Sequence, residues 1–365
     1  MNTSNSLLKK PSQLSSSLLY FLRTSSGFFI GLFFALLLTL IVGENPAHIF
    51  IIIIKSAFGS AYDLGLTLFY TTSLIFTGLS VAVAFRGGLF NIGAEGQLTM
   101  SALGMVGFAY LFPQIPSPFS YVAIFLVGSL CGAAWAFIPG YLKAFRDSHE
   151  VIVTMMLNFV AAGISSYVIV NVIPNQQSQN PESVIIADSF RTNHFDFINS
   201  LFPDSPANLF LLLAIFTAIM LYLFFEKTLL GYELKVSGEN PLAAERAGIP
   251  VKKMMIIAMV LSGLFASGSG MNEVMGFSGQ FKMGFSPEFG FIGIAVALMS
   301  NNNPLGILVS AFLMGALHKG ASDLDFETET ITRDFSKILQ AMIILGVGFQ
   351  YYLNKKFFRG DNGNH

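Results

Sequence analysis

Three groups of polar residues in this 365-residue sequence have the types and spacing to do chemistry, and each is set among apolar runs. The first is Phe85-Arg86-Gly87-Gly88-Leu89-Phe90-Asn91-Ile92-Gly93-Ala94-Glu95-Gly96-Gln97, where four glycines accompany Asn91, Glu95 and Gln97. Non-helical backbone at membrane depth is tolerated only where protein or a water-filled cavity satisfies it, so such a loop lines a path or forms a tight packing site. The plainer alternative is a turn anchored by Arg86. The second group is Glu150, Thr154 and Asn158, spaced i, i+4 and i+8 and therefore on one helix face. Asn158 falls inside an apolar run, where it serves either as an interhelical hydrogen bond or as a contact to a passing solute. The third is Ser262, Gly263, Ser267, Gly268, Ser269, Gly270, Asn272 and Glu273. Glu273 and Lys282 are either a functional pair or interfacial charges, and depth decides between them. These groups nominate Gly87, Gly88, Asn91, Gly93, Glu95, Gln97, Thr154, Asn158, Asn272 and Glu273 for a solute path.

Enzyme chemistry finds no support. His48, His149, His194, His318 and His365 are scattered, with no His-x-x-x-His pair, and Cys131 is the single cysteine. No catalytic residue and no metal-ligand spacing emerges from them. There is no Gly-x-Ser-x-Gly elbow and no Gly-Lys-Ser/Thr phosphate loop, so ATP hydrolysis by that route is closed to this chain. Proton-coupled transport would place acidic or histidine side chains inside apolar spans, which hold almost none.

The elements that must carry these residues follow from composition. The chain is 53% hydrophobic and 11% charged, with 38 Phe and 34 Gly, and its mean hydropathy is +0.64. A soluble domain is roughly a quarter charged, so too few charges are present to build a water-facing surface. Apolar runs predict spans at 26–42, 64–85, 98–112, 121–141, 151–173, 208–225, 254–271, 289–300, 304–317 and 338–353. The run 28–42 ends in Gly43-Glu44-Asn45-Pro46 without a small-residue cleavage site and reads as a retained first helix. The stretch 46–58 is short and is expected at the outer surface or packed against the bundle. With the N-terminus inside, fourteen of the 20 basic residues fall on the cytoplasmic side, which supports both termini in the cytoplasm.

The loop at 174–204, rich in Asn and Gln, suits the outside. The loop at 225–253 carries five cations and Asn240-Pro241-Leu242-Ala243-Ala244-Glu245-Arg246-Ala247-Gly248. Here Asn240 reads as an N-cap, Pro241 as the first helical residue and Gly248 as the stop. The segment Phe76-Thr77-Gly78-Leu79-Ser80-Val81-Ala82-Val83 echoes Phe291-Ile292-Gly293-Ile294-Ala295-Val296-Ala297-Leu298, and each precedes a polar break, at 86–93 and 301–306. Interrupted spans in corresponding halves point to a transport route. The expectation is an all-α polytopic membrane protein of about ten transmembrane helices, in two related halves with broken or re-entrant segments. A cytoplasmic tail (1–25) precedes a single transmembrane domain (26–356, halves about 60–205 and 206–356), and a tail at 357–365 follows.

Taken together, 86–97, Glu150-Val151-Ile152-Val153-Thr154-Met155-Met156-Leu157-Asn158, and the run from Gly284-Phe285-Ser286-Pro287 to Asn303-Pro304-Leu305-Gly306 resemble a known family. Over about 27–354 the chain is similar to the permease subunits of bacterial ATP-binding-cassette importers for nucleosides and simple sugars, within the branched-chain amino acid permease-like superfamily. Gly238-Glu239-Asn240-Pro241 with Ala243-Ala244 and Ala247-Gly248-Ile249 looks like the family's coupling segment. The resemblance implies a transport subunit, not an enzyme, in the bacterial cytoplasmic (inner) membrane, working by alternating access. It implies a heterodimer with a second permease subunit, a cytoplasmic ATPase, an extracytoplasmic substrate-binding lipoprotein and surrounding membrane lipid, with no nucleic acid partner. This chain would bind no cofactor, with ATP and Mg on the partner ATPase. Asn240, Pro241, Ala243, Ala244, Arg246 and Gly248 would carry the coupling. A permease for branched-chain amino acids or another small polar solute is the nearest alternative, and a secondary transporter a more distant one.

Overall fold

The computed structural model describes residues 13–192, 196–328 and 330–358. Lys9, Lys10, His194, Arg359 and His365, and with them the outer parts of both expected tails, lie outside the described residues. Among the described residues the chain is helical, with only two isolated bridges, Pro174 to Ser183 and Glu182 to Lys282. Its helices are α1 (Gln13–Leu38), α2 (Pro46–Phe58), α3 (Ala61–Arg86), α4 (Ala94–Leu111), α5 (Phe119–Arg146), α6 (Glu150–Asn171) and the short α7 (Asp196–Leu201). They continue with α8 (Phe210–Lys227), α9 (Leu229–Glu239), α10 (Pro241–Arg246), α11 (Val251–Glu273), α12 (Phe289–Met299), α13 (Pro304–Ser322), α14 (Leu324–Glu327) and α15 (Arg333–Phe358).

Each expected span falls on a helix, but the helices are unequal. Among the described residues six are long and apolar enough to cross a bilayer unaided, and α1 with α2 forms a further pair bent by 120°. The 11-residue α12 extends only about 16 Å at 1.5 Å per residue, half of a hydrocarbon core of about 30 Å. Chain termini of helices are set by local chemistry. Asn45, Asn240 and Asn303 each cap a helix whose first residue is proline, accepting from the backbone N–H groups of Ala47, Ala243 and Leu305 at 2.9, 3.0 and 3.0 Å. The stretch 46–58 packs against the bundle, burying Ile49, Ile52, Ile53 and Ala57, with Ile53 against Gly320 of α13.

Burial sorts the helices by depth in the bundle. In its most apolar stretch α3 is 83% buried, against 28% for α5 and 22% for α6, so α3 is the central post. Exposed Phe125, Leu130, Phe159 and Tyr167 on α5 and α6 form the apolar outer surface that a bilayer requires. Small residues hold the interior together, because lipid supplies no hydrophobic drive between helices and close backbone approach must. A Cβ on Gly293 of α12 would lie 2.7 Å from Thr77 Oγ1 of α3, and one on Gly78 of α3 would lie 2.8 Å from Val296 of α12. These are the two glycines that the internal echo aligns. A Cβ on Gly132 of α5 would stand 2.6 Å from the Gly263 carbonyl of α11. The fold is thus that of an all-α polytopic membrane protein.

Candidate functional site

The loop at 87–93 leaves the end of α3 and climbs back into the bundle before α4 begins. Asn91, fully buried, is its anchor. Its amide donates to Ser262 Oγ at 2.7 Å and Gln97 Oε1 at 3.2 Å, while its carbonyl oxygen accepts from Gly93 N–H at 2.7 Å and Gln97 Nε2 at 3.3 Å. Ser262 in turn donates to the Ser80 carbonyl at 2.7 Å. Asn158 donates to the Ile92 carbonyl at 3.0 Å and accepts from Gly96 N–H at 2.9 Å. Thr154 accepts from Ile92 N–H at 3.4 Å and donates to the Glu150 carbonyl at 2.8 Å, and the Glu150 carboxylate pairs with Lys143 at 3.3 Å.

Of the nominated path residues, Asn91, Gln97, Thr154 and Asn158 therefore meet here, and their polar atoms are used inside the chain. They hold irregular backbone at depth, as satisfaction of every backbone group within a membrane demands. Gly87 and Gly93 are tight-packing positions, where an added Cβ would lie 2.5 Å from Ala258 and 3.0 Å from Thr154. Asn272 and Glu273 lie apart, at the C-terminal end of α11. Asn272 is buried and donates to Ser73 Oγ at 2.9 Å and the Phe69 carbonyl at 3.2 Å while accepting from Asn208 at 2.9 Å. Glu273 is 8% exposed, and no ion pair joins it to Lys282.

Glu95 differs from the rest. It is half-buried, and one carboxylate oxygen accepts from Gly290 N–H at 2.8 Å, at the positive end of α12. The starts of α4 and α12 so nearly touch that a Cβ on Gly290 would lie 2.7 Å from Glu95 Cα.

A second set of contacts joins this interior to the connection between α8 and α11. Gly88 (φ +77) faces Gly238 near the end of α9, and a Cβ on Gly88 would lie 2.8 Å from the Gly238 Cα. Arg86 donates to the Asn302 carbonyl at 2.9 Å and stacks over Phe225 at 4.5 Å, tying the ends of α3, α8 and α12. Directly after α9, α10 matches its expected caps. Gly248 (φ +83) ends it, with Gly248 N–H to the Glu245 carbonyl and Ile249 N–H to the Ala244 carbonyl, both 3.0 Å. Only Ala244 of this helix is buried, and Leu242 is 72% exposed.

The opposite end of the bundle has its own connection, which no local sequence pattern announces. The loop after α6 lies along the segment that follows α11, with Ser183 N–H to the Phe281 carbonyl at 2.9 Å, Ile186 N–H to the Gly279 carbonyl at 2.8 Å and Thr192 N–H to the Met275 carbonyl at 2.9 Å. Gly238 and Asn208 were also missed as contact residues. Their neighbours are 150 and 64 residues away, and no local pattern announces such pairings.

A buried polar network that holds broken helices inside an apolar, multi-pass helical bundle is the architecture of a polytopic membrane protein. Residues 64–348 match the family described as "Branched-chain amino acid transport system / permease component", and the chain belongs to it. It is 34% identical over 333 residues to the nucleoside ABC transporter permease protein NupB of Lactococcus lactis, covering 90% of this chain and 89% of that one. It is 35% identical over 326 residues to the guanosine ABC transporter permease protein NupP of Bacillus subtilis, covering 88% and 91%. A glucose ABC transporter permease protein of Haloferax volcanii is 29% identical over 86% of this chain and 82% of its own length. No solved structure matches the chain. The chain is a transport component and not an enzyme, and its family works with an ATPase and a substrate-binding partner.

Proposed function

We propose that this chain is one of two different permease subunits of a nucleoside importer in the bacterial cytoplasmic membrane, with a simple sugar as the second choice of solute. The observation that carries the solute class is the identity of 34% and 35% to permeases named for nucleoside and guanosine, across about nine-tenths of the chain. The broader family name, which mentions branched-chain amino acids, keeps that class as the rival.

In this reading the chain crosses ten times with both termini inside. The packing agrees in direction. Thr77 meets Gly293, and Arg86 meets Asn302, so α3 and α12 run the same way, and Gly27 meets Gln350 while Gly31 meets Ile343, so α1 and α15 run oppositely. An extended segment at 279–288 together with α12 makes up one broken crossing. The interface formed by Gly78 and Gly293 favours two related halves.

Coupling runs inward from Asn240–Gly248. The ATPase, carrying ATP and Mg, presses on the exposed α10; α9 transmits the movement through Gly238 to Gly88; the pinned loop at 87–97 then carries it to α4, α6, α11 and the start of α12. The binding lipoprotein docks on the outer loop, and membrane lipid covers α5, α6 and α8. The test is uptake of labelled guanosine in cells with and without this chain, together with purification of its complex. Loss of guanosine uptake on deletion, and co-purification of an ATPase and a second permease, is the expected result. Unchanged guanosine uptake with lost leucine uptake would transfer the chain to the amino acid class.

A further inference from the structure

Between the outer strap and α12 the chain descends through Lys282, Met283, Gly284, Phe285, Ser286, Pro287 and Glu288 without regular structure. Its lower end lies deep. Gly290 bonds to Glu95, and the loop leading to Glu95 is pinned through Asn91 to Ser262, the twelfth of the 23 residues of α11. From the opposite direction Phe289 packs on Tyr70 at 5.9 Å, the tenth residue of the 26-residue α3. Two independent markers therefore put the start of α12 near the middle of the bilayer.

At that depth Glu288 is exposed and held in the left-handed region (φ +65), Pro287 is exposed, Ser286 is half-buried and Phe291 is 36% exposed. Lipid does not accept this surface, because irregular backbone and a free carboxylate are excluded from hydrocarbon. A dry protein contact does not suit it either, since Glu288 would lose its water without a partner. Strained backbone of this kind gathers at functional positions.

Resting on the importer reading, we propose that Ser286–Phe291, with Glu95 beside it, is this subunit's wall of the water-filled solute path. It presents the exposed Glu288 carboxylate, the half-buried Ser286 hydroxyl, which also accepts from Phe289 N–H at 3.2 Å, and one aromatic face. The matching solute is an uncharged molecule rich in O–H and N–H donors with a flat apolar ring. Lys282, Ser286, Glu288 and Glu95 form a polar track from the outer strap to mid-depth, and the buried amides of Asn91 and Gln97 stand behind it as support.

The test is thiol accessibility in a Cys131→Ala background that still imports, with the complete importer in nanodiscs so that both faces are open. Ser286→Cys and Phe291→Cys are compared with Leu130→Cys, a 67% exposed position on α5 next to the helix turn where Gly132 meets Gly263. A charged methanethiosulfonate reagent needs a hydrated thiolate, so the two path positions should react at least about tenfold faster than Leu130→Cys. Saturating guanosine should slow the reaction at one or both. Reaction as slow as at Leu130→Cys, or fast reaction that neither guanosine nor glucose slows, overturns the assignment. Protection by glucose but not guanosine supports the path wall and refutes the nucleoside reading alone.

Discussion

Replacing Gly238 with alanine probes whether movement passes between the proposed ATPase-facing connection and the interior. The added Cβ would lie 2.5 Å from Gly88 N and 2.7 Å from Gly87 C, and closer still to the Arg86 carbonyl oxygen. All three atoms are backbone, so none can rotate away. Optimal separation is about 3.5 Å, and α9 must therefore move away from the loop by about 1 Å. Overpacking of this kind costs about 1–3 kcal/mol, while exchanging glycine for alanine within a helix returns about 1 kcal/mol. The variant should fold and insert normally, yet the strain should burden whichever state of the transporter holds α9 against the loop. After that offset a bias of up to about 2 kcal/mol remains, which corresponds to up to roughly a thirtyfold change in that equilibrium. The assay is solute uptake and binding-protein-stimulated ATP hydrolysis in proteoliposomes of the complete importer, matched for inserted protein. Both should fall about tenfold, with unstimulated hydrolysis unchanged. Gly163→Ala is the control, since no atom lies within 4 Å of its added Cβ. Wild-type uptake by Gly238→Ala would refute transmission through this contact.

Three further outcomes are expected. Asn91→Ala removes four hydrogen bonds from the buried loop, and at about 0.6 kcal/mol for each bond within a membrane it should lower stability by about 2 kcal/mol; an unchanged midpoint in detergent unfolding would contradict the anchoring role. Lys319, whose side chain is 5% exposed, pairs with Asp63 at 3.4 Å and with Asp323. Lys319→Met should destabilise by about 3 kcal/mol because both carboxylates lose their counter-charge, with Lys319→Arg retaining most of the stability. Gly248→Trp forces a bulky side chain into a positive-φ position at a cost of about 1–2 kcal/mol. It also projects from the face proposed to meet the ATPase, so uptake and stimulated hydrolysis should be lost while insertion stays normal.

Much of the architecture is legible in the sequence because its signals are local. Apolar runs predict helices wherever they occur, and the Asn-Pro dipeptides at 45–46, 240–241 and 303–304 mark three helix starts at the residue. The site is less legible. Gly87, Asn91 and Asn158 announce an unusual environment, but residue type alone leaves open whether their amides face a solute or another helix. The structure finds them bonded within the chain. Glu288, which faces outward, carries no local signal except that a charge and a proline precede an apolar run.

The sequence by itself determines that this chain lies in a membrane, that it is helical, and that its helices are broken at 86–93 and 301–306. Chain composition and the need to satisfy backbone groups within lipid are sufficient for that. Only tertiary structure decides that Gly88 meets Gly238, that Asn91 is anchored to Ser262, and that the starts of α4 and α12 meet at Glu95. Those contacts join segments 150 to 195 residues apart, and close packing of small residues is visible only once the helices are in place. The same packing decides depth, and depth separates a loop that merely turns from one that lines a path.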